Sequence, residues 1–138
     1  MLLLGLNLWG IAGGANASSS GDSAPHLFGR SSVEDTASPT YVIFQIYQQQ
    51  VVGAFYQRFS SFDCFYGRVT PTHLDLTIID SFSSTAHAYA VATMPATSVV
   101  AQRANTPLPV QPVGYHRVQQ IHDADLQVLN TCLTHYPL

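Results

Sequence analysis

The sequence predicts a small, mainly β domain of the α+β class. We expect an antiparallel β-meander, or a partly closed barrel, of about five strands with a C-terminal helix. From Tyr41 to Ala92, apolar and aromatic residues recur with a period of two, which is typical of strands. Short polar segments interrupt this pattern at hairpin spacing. Over residues 122–134 the apolar residues instead recur at helical spacing.

Five segments carry the strand alternation, namely 41–47, 51–56, 62–69, 73–79 and 86–92. The first is apolar on both faces, which indicates a strand covered on both sides. Gly53 in the second suggests a bulge or a close approach of another backbone. Pro71 favours a turn between the third and fourth segments, so these form a hairpin. The alanines of the fifth segment are compatible with a helix as well as with a strand.

The C-terminal helix is predicted to begin close to His122, where acidic residues suit the positive end of the helix dipole. Its apolar stripe consists of Leu126, Leu129, Cys132 and Leu133. Residues 94–113, between the fifth strand and this helix, contain several prolines and little pattern. They are predicted to form a long loop.

The N-terminus has the layout of a secretory signal peptide over residues 1–17. An apolar run over residues 2–14 leads into Ala15-Asn16-Ala17, a small-residue cleavage pattern. The run is too short to span a bilayer. No basic residue precedes Arg30, as a signal peptide would require, so either the true start lies upstream or the signal is atypical. The alternative is a buried N-terminal strand or helix, because the cleavage pattern is only three residues long.

Two further regions complete the predicted organisation. Residues 18–39 are rich in Ser, Gly, Ala, Asp and Pro, and this composition predicts a flexible leader. Residues 40–138 then form a single β-rich domain, which is a typical size for one hydrophobic core.

Cys64 and Cys132 are the only cysteines, and an exported chain can oxidise them. A Cys64–Cys132 disulfide would attach the C-terminal helix to the sheet. The alternative is a pair of buried, reduced thiols that act as small hydrophobic residues. Neither cysteine belongs to a C-x-x-C pair, so the spacing does not indicate a zinc site.

The charge pattern argues against nucleic acid as a partner. Charged residues make up only 9% of the chain, the net charge is −3, and the five arginines are scattered. Binding to nucleic acid requires several cationic groups on one surface. An anionic membrane surface is disfavoured for the same reason.

Two stretches resemble a known group of proteins. They are VVGAFYQRFSSFDCFYGRVTPTHLDLTIIDSF at 51–82 and YHRVQQIHDADLQVLNTC at 115–132. Together they resemble small exported proteins of unassigned function that are common in cyanobacteria. The resemblance implies an extracytoplasmic setting, such as the periplasm or the thylakoid lumen. It carries over no catalytic or binding residue.

Catalytic patterns are weak in this sequence. There is no G-x-S-x-G nucleophile elbow, no glycine-rich phosphate loop, and the only glutamate is Glu34 in the predicted leader. The densest set of potential metal ligands is His116, His122, Asp123 and Asp125. Around the first turn of a helix these side chains would point apart, so a solvated cap region is favoured over a metal site.

Five aromatic residues could share one face of the sheet, opposite Val42, Phe44 and Leu74. These residues are Tyr41, Tyr47, Phe55, Phe65 and Tyr89. Such a face is either a second core layer, which is the favoured interpretation, or an exposed platform for a small ligand, a glycan or a protein partner.

The sequence therefore predicts a non-catalytic, exported binding or interaction module, located in the periplasm, the thylakoid lumen or outside the cell. Its binding surface would be the aromatic face or the loop at 94–113. No cofactor, nucleic acid or membrane span after signal cleavage is predicted. The alternative is a small extracytoplasmic enzyme or metal-binding protein that uses the histidines near the helix.

Export predicts a mature chain that begins at Ser18 and contains one disulfide. Intact-mass spectrometry of the protein purified from its native host should then show loss of residues 1–17 and of two hydrogen atoms relative to the reduced form. An intact Met1 together with two free thiols would contradict both expectations.

Overall fold

A computed structural model describes residues 24–30, 40–95 and 110–138. These residues form a seven-stranded antiparallel sheet and a helix, which confirms the predicted fold class. The elements are β1 (His26–Arg30), β2 (Thr40–Tyr47), β3 (Gln50–Tyr56), β4 (Phe62–Val69), β5 (His73–Ile79), β6 (Ala86–Ala92), β7 (His116–Arg117) and α1 (Asp123–His135). Within the described ranges, no helix is long and apolar enough to cross a bilayer.

The five predicted strands correspond to β2–β6, and their bounds agree with the prediction to within one residue. The segment at 86–92 is a strand rather than a helix. The predicted helix at 122–134 corresponds to α1 and is displaced by one residue. The predicted signal peptide at 1–17 and most of the predicted loop at 94–113 lie outside the described residues.

The predicted flexible leader over 18–39 is corrected at His26–Arg30, which form strand β1, whereas its residues 18–23 and 31–39 lie outside the described residues. Strand β1 pairs with β2 from His26, opposite Phe44, to Arg30, opposite Thr40. Leu27 and Phe28 are buried on opposite faces of the sheet. The sequence signal was weak because only these two large apolar residues mark the strand. The free edge of β2 supplies the hydrogen-bonding partner that makes the segment a strand.

The strand order is β6-β5-β4-β3-β2-β1-β7, so consecutive strands are neighbours except where the chain returns to place β7 beside β1. Just before β7, Pro112 forms an isolated bridge with Thr93 at the end of β6. The segment that contains β7 therefore pairs with β1 at one end of the sheet and contacts the end of β6 at the other. The sheet nevertheless stays open, because this bridge does not continue along β6 within the described residues.

The sheet is strongly curled. The rings of Phe55 on β3 and Tyr89 on β6 contact each other edge to face, with centroids 5.9 Å apart. Three strand spacings on a flat sheet would separate these positions by about 14 Å. We call the side that carries these two rings the concave face. It holds a core cluster of Phe28, Val42, Phe44, Val51, Phe65, Leu74, Leu76, Ile78 and Val91.

At two glycines a neighbouring strand lies closer than a side chain would allow. A Cβ atom at Gly53 would overlap the Ile43 carbonyl oxygen and lie 2.6 Å from Phe44 Cβ. A Cβ atom at Gly67 would overlap the Asp75 carbonyl oxygen. Gly53 pairs regularly with Phe44 and Phe65, so of the two predicted explanations the close backbone approach is correct. The curl depends on the absence of side chains at these positions.

Helix α1 covers the other side of the sheet, which we call the helix face. Leu129 and Cys132 of α1 pack on Leu27, Ile43, Val52, Ala54 and Tyr56 in a second buried cluster. A disulfide joins Cys132 to Cys64 on β4, with a Cα–Cα distance of 5.5 Å. The predicted bridge is confirmed, and it fixes the helix to the central strands. The contacts of α1 are with β2, β3 and β4 and do not extend to β5 or β6.

The disulfide predicts a large change in stability. The two cysteines are 68 positions apart, so replacing both with alanine should lower the free energy of unfolding by about 4 kcal/mol in the chain-entropy model. Urea denaturation of the Cys64→Ala/Cys132→Ala variant, followed by circular dichroism, measures this difference. Reductant should destabilise the wild type and leave the variant unchanged. An equal stability of the two proteins would show that the bridge is not a major constraint.

Candidate functional site

The five aromatic residues predicted to share a face lie on both faces. Tyr41 and Tyr47 are on the helix face, whereas Phe55, Phe65 and Tyr89 are on the concave face. The prediction of a common aromatic face is therefore wrong. Alternation along one strand assigns its two faces, but only the register between strands shows which faces coincide.

These aromatic residues also differ in exposure. Phe65 is fully buried, and Phe55 packs against the same core cluster. Tyr41 packs against the helix-face cluster, under the guanidinium of Arg58. Only Tyr47 and Tyr89 are substantially exposed, and they point to opposite sides of the sheet.

The alternative metal ligands do not form a site in this structure. His116 lies on β7, whereas His122 and Asp123 are exposed at the start of α1. No group of three or more potential ligands is found within the described part of the chain, which includes all four of these residues. Asp125 departs from the predicted solvated cap, because its side chain is only 1% exposed.

Asp125 is the centre of a buried polar cluster. The Tyr56 hydroxyl donates a hydrogen bond to its Oδ1 at 2.6 Å. Arg58 donates from Nη2 to Oδ2 at 3.0 Å and from Nε to Oδ1 at 3.3 Å. The backbone N–H of His122 donates to Oδ2 at 3.0 Å. The carboxylate thus connects the end of β3, the turn after it and the first turn of α1.

The protonation states in this cluster are stabilised by its own contacts. Burial opposes ionisation of Asp125, but hydrogen bonds from Tyr56 and His122 and the charge of Arg58 outweigh it, so the Asp125 pKa is lowered. Burial and the bond to Asp125 raise the pKa of Tyr56. The carboxylate therefore stays ionised and the phenol protonated at neutral pH. This arrangement secures α1 to the β3–β4 turn and does not supply a group that exchanges protons near pH 7.

Sequence reasoning missed this cluster because its partners are far apart in the chain. Asp125 is 67 positions from Arg58 and 69 from Tyr56. The local signal was limited to an aspartate in the first turn of a helix, which usually faces solvent.

Among the described residues, the helix face carries a cleft and a wider groove. One has a volume of about 400 Å³ and lies beside the Asp125 cluster, between the β3–β4 turn and α1. Phe59 stands at its rim, fully exposed and with a φ of 66°. The other is a wider groove of about 760 Å³ over β3–β5, lined by Tyr66, Arg68, Asp75 and the C-terminal residues after α1.

Strand β6 offers a different kind of surface, because it is the edge strand of the sheet. The Thr93 N–H donates to the Thr72 carbonyl at 3.0 Å, and the Asp80 N–H donates to the Thr85 carbonyl at 2.9 Å. Since hydrogen-bonded positions alternate in antiparallel strands, odd-numbered residues of β6 bond to β5. Even-numbered residues direct their N–H and C=O groups outward. The Ala92 carbonyl follows this rule, because it accepts from the Val113 N–H.

No described strand pairs with the outward groups of Ala86, Ala88 and Ala90. Residues 86–90 are all exposed. Strand β6 also lacks the charged residues, prolines and bulges that usually protect an edge from other chains. Among the described residues, the outward backbone groups of Ala86, Ala88 and Ala90 therefore form a candidate site for an additional strand.

Exposed apolar side chains are concentrated along the same edge. Of the seven large apolar residues with the greatest exposure in the described ranges, four lie on β6 or next to its ends. Their exposed fractions are 86% for Phe82, 46% for Tyr89, 54% for Met94 and 49% for Val113. We call these four side chains, with the outward backbone of Ala86, Ala88 and Ala90, the open edge. It is the strongest candidate for a binding surface.

Comparison with protein-family models, with curated proteins and with solved structures finds no match for this chain. The resemblance to small exported cyanobacterial proteins therefore stays a prediction, and the candidate site rests on geometry.

The Asp125 cluster predicts a pH-dependent stability. Because the Asp125 pKa is lower in the folded than in the unfolded chain, its contribution is complete above the unfolded value of about 4. It is lost as the pH falls through the folded value. Asp125→Asn should cost about 2–4 kcal/mol at pH 7, and the difference from wild type should shrink below pH 4.

Urea denaturation at pH 7 and pH 3 measures this effect. The matched control is Asp123→Asn, which changes an exposed aspartate of the same helical turn and should shift stability by less than about 1 kcal/mol. Equal losses for the two variants at pH 7 would contradict a special role for Asp125.

Proposed function

We propose that this protein is an exported, non-catalytic interaction module that binds another polypeptide by adding its strand to β6. The open edge is the single observation that carries this proposal. Its outward N–H and C=O groups over Ala86–Ala90 are positioned to form a β ladder. Strand addition would satisfy these groups without rearrangement of the sheet.

The side chains of the open edge support a polypeptide partner. Alanines at 86, 88 and 90 present only methyl groups on the helix face, so an incoming backbone meets no bulky obstacle there. Tyr89 supplies an aromatic contact on the concave face, and Phe82, Met94 and Val113 extend the apolar surface beyond the strand. Exposed apolar patches of this kind are typical of protein–protein contacts.

Export is supported by two independent features. The apolar N-terminal run with its small-residue cleavage pattern is one of them. The other is the disulfide between Cys64 and Cys132, since such bonds persist in oxidising compartments. The proposed setting is therefore the periplasm, the thylakoid lumen or the extracellular space.

A short peptide tests strand addition directly. The probe is a synthetic peptide with the β6 sequence AHAYAVA, acetylated and amidated so that it carries no terminal charge. In NMR titrations it should perturb the backbone amides of Ala86, Ala88 and Ala90 and slow their exchange with solvent. These three amides should respond together because all of them face the open edge.

Ala88→Pro is the diagnostic variant, because proline removes an outward N–H that the sheet does not use. It should weaken peptide binding at least tenfold. Ala124→Pro is the control, since Ala124 lies in the first helical turn, where proline is tolerated. Perturbations that map to the helix-face clefts, or equal binding by both variants, would refute strand addition at β6.

A further inference from the structure

We infer that the strand received by the open edge is β6 of a second copy of this chain, paired antiparallel about a two-fold axis at Ala88. This inference rests on the proposed function and names its partner. A two-fold pairing of this kind uses the same surface on both copies and closes after two subunits.

Backbone geometry restricts the register. In both copies the outward groups belong to even-numbered residues, so even positions must pair with even positions. Centring the axis on Ala88 pairs Ala88 with the second copy's Ala88, and Ala86 with the second copy's Ala90. This register uses the three positions on each strand that no described strand pairs with, and it forms about six hydrogen bonds. Pairing ends at Ala92, whose carbonyl already accepts from Val113.

The side chains agree with this register on both faces. On the helix face, rows of alanine meet rows of alanine, so the two backbones can approach without steric conflict. On the concave face, His87 lies opposite the second copy's Tyr89, which is a close non-hydrogen-bonded pair. Because alanine occupies every even position of β6, each pair on the helix face joins two alanines in this register.

The ends of the strand provide the second set of contacts. In this register the turn that carries Phe82 approaches the end of the second copy's β6, where Met94 and Val113 are exposed. The two-fold axis repeats this contact at the other end. Phe82 of each copy would therefore cover Met94 and Val113 of the other copy. This contact explains why exposed apolar residues cluster at the two ends of β6.

Charge also favours a second copy. Residues 81–94 contain no Asp, Glu, Lys or Arg, although the whole chain has a net charge of −3. Two identical negative molecules can therefore meet along this segment without placing like charges opposite each other. A partner recognised by complementary charge would need a charged surface here, and this segment has none.

Sedimentation equilibrium of the disulfide-bonded mature chain tests the assembly. The wild type should be dimeric at micromolar to millimolar concentrations, and Ala88→Pro should lower the association constant at least hundredfold. The Ala124→Pro control should associate as the wild type does. Circular dichroism and an intact disulfide would show that each variant is folded.

Engineered cysteines test the register. Opposed residues at a non-hydrogen-bonded antiparallel pair have Cα atoms about 4.5 Å apart, within the range that a disulfide spans. An equimolar mixture of His87→Cys and Tyr89→Cys proteins should therefore form an oxidised heterodimer. Each variant alone should form much less, because its cysteine faces a tyrosine or a histidine.

The outcomes separate this inference from the proposed function. A chain that stays monomeric while it binds the β6 peptide overturns the second copy and leaves strand addition intact. A chain that neither dimerises nor binds the peptide overturns both. A dimer that Ala88→Pro does not weaken, or a mixture that does not cross-link preferentially, overturns the two-fold register at Ala88.

Discussion

The curl of the sheet is the constraint on which the rest of this structure depends. Because β3 and β6 curve toward each other, Phe55 and Tyr89 meet and the concave face buries its own apolar side chains. A flat sheet of this size would need a second layer on each side. At Gly53 and Gly67 the neighbouring strand lies closer than a Cβ atom would allow, so the absence of side chains there permits the curl. These two glycines therefore contribute to the enclosure of the concave core.

With one face enclosed by curvature, a short helix can cover the other. Two contacts of different chemistry hold α1. The disulfide fixes Cys132 to β4, and the Asp125 cluster fixes the start of the helix to the β3–β4 turn. A buried carboxylate is costly unless it is fully paired, and Tyr56, Arg58 and the His122 backbone provide that pairing. The cluster is therefore a structural device and places the helix over the central strands.

Because the helix is short, it does not cover the part of the sheet formed by β5 and β6. The contacts of α1 end at β4, so β5 and β6 receive no cover from it on the helix face. Strand β6 then combines exposed alanines and nearby apolar side chains with outward backbone groups at Ala86, Ala88 and Ala90 that no described strand pairs with. Soluble proteins usually protect such edges because they promote association with other chains. The lack of this protection on β6 supports the proposed strand addition, and the absence of charge along residues 81–94 supports the proposed partner of the same sequence.

Local pattern was enough to predict the strands β2–β6, the helix and the two-cysteine bridge, because alternation and helical spacing are properties of neighbouring residues. Strand β1 carried too little pattern and forms because β2 offers it an edge. The aromatic residues were assigned to one face incorrectly, since faces coincide only through the register between strands. The ion pair of Arg58 with Asp125 joins positions 67 apart, and nothing local indicates it. Sequence alone thus determined which segments are strands or helix, whereas pairing, curvature and the open edge were decided by tertiary structure, because they depend on contacts between distant segments.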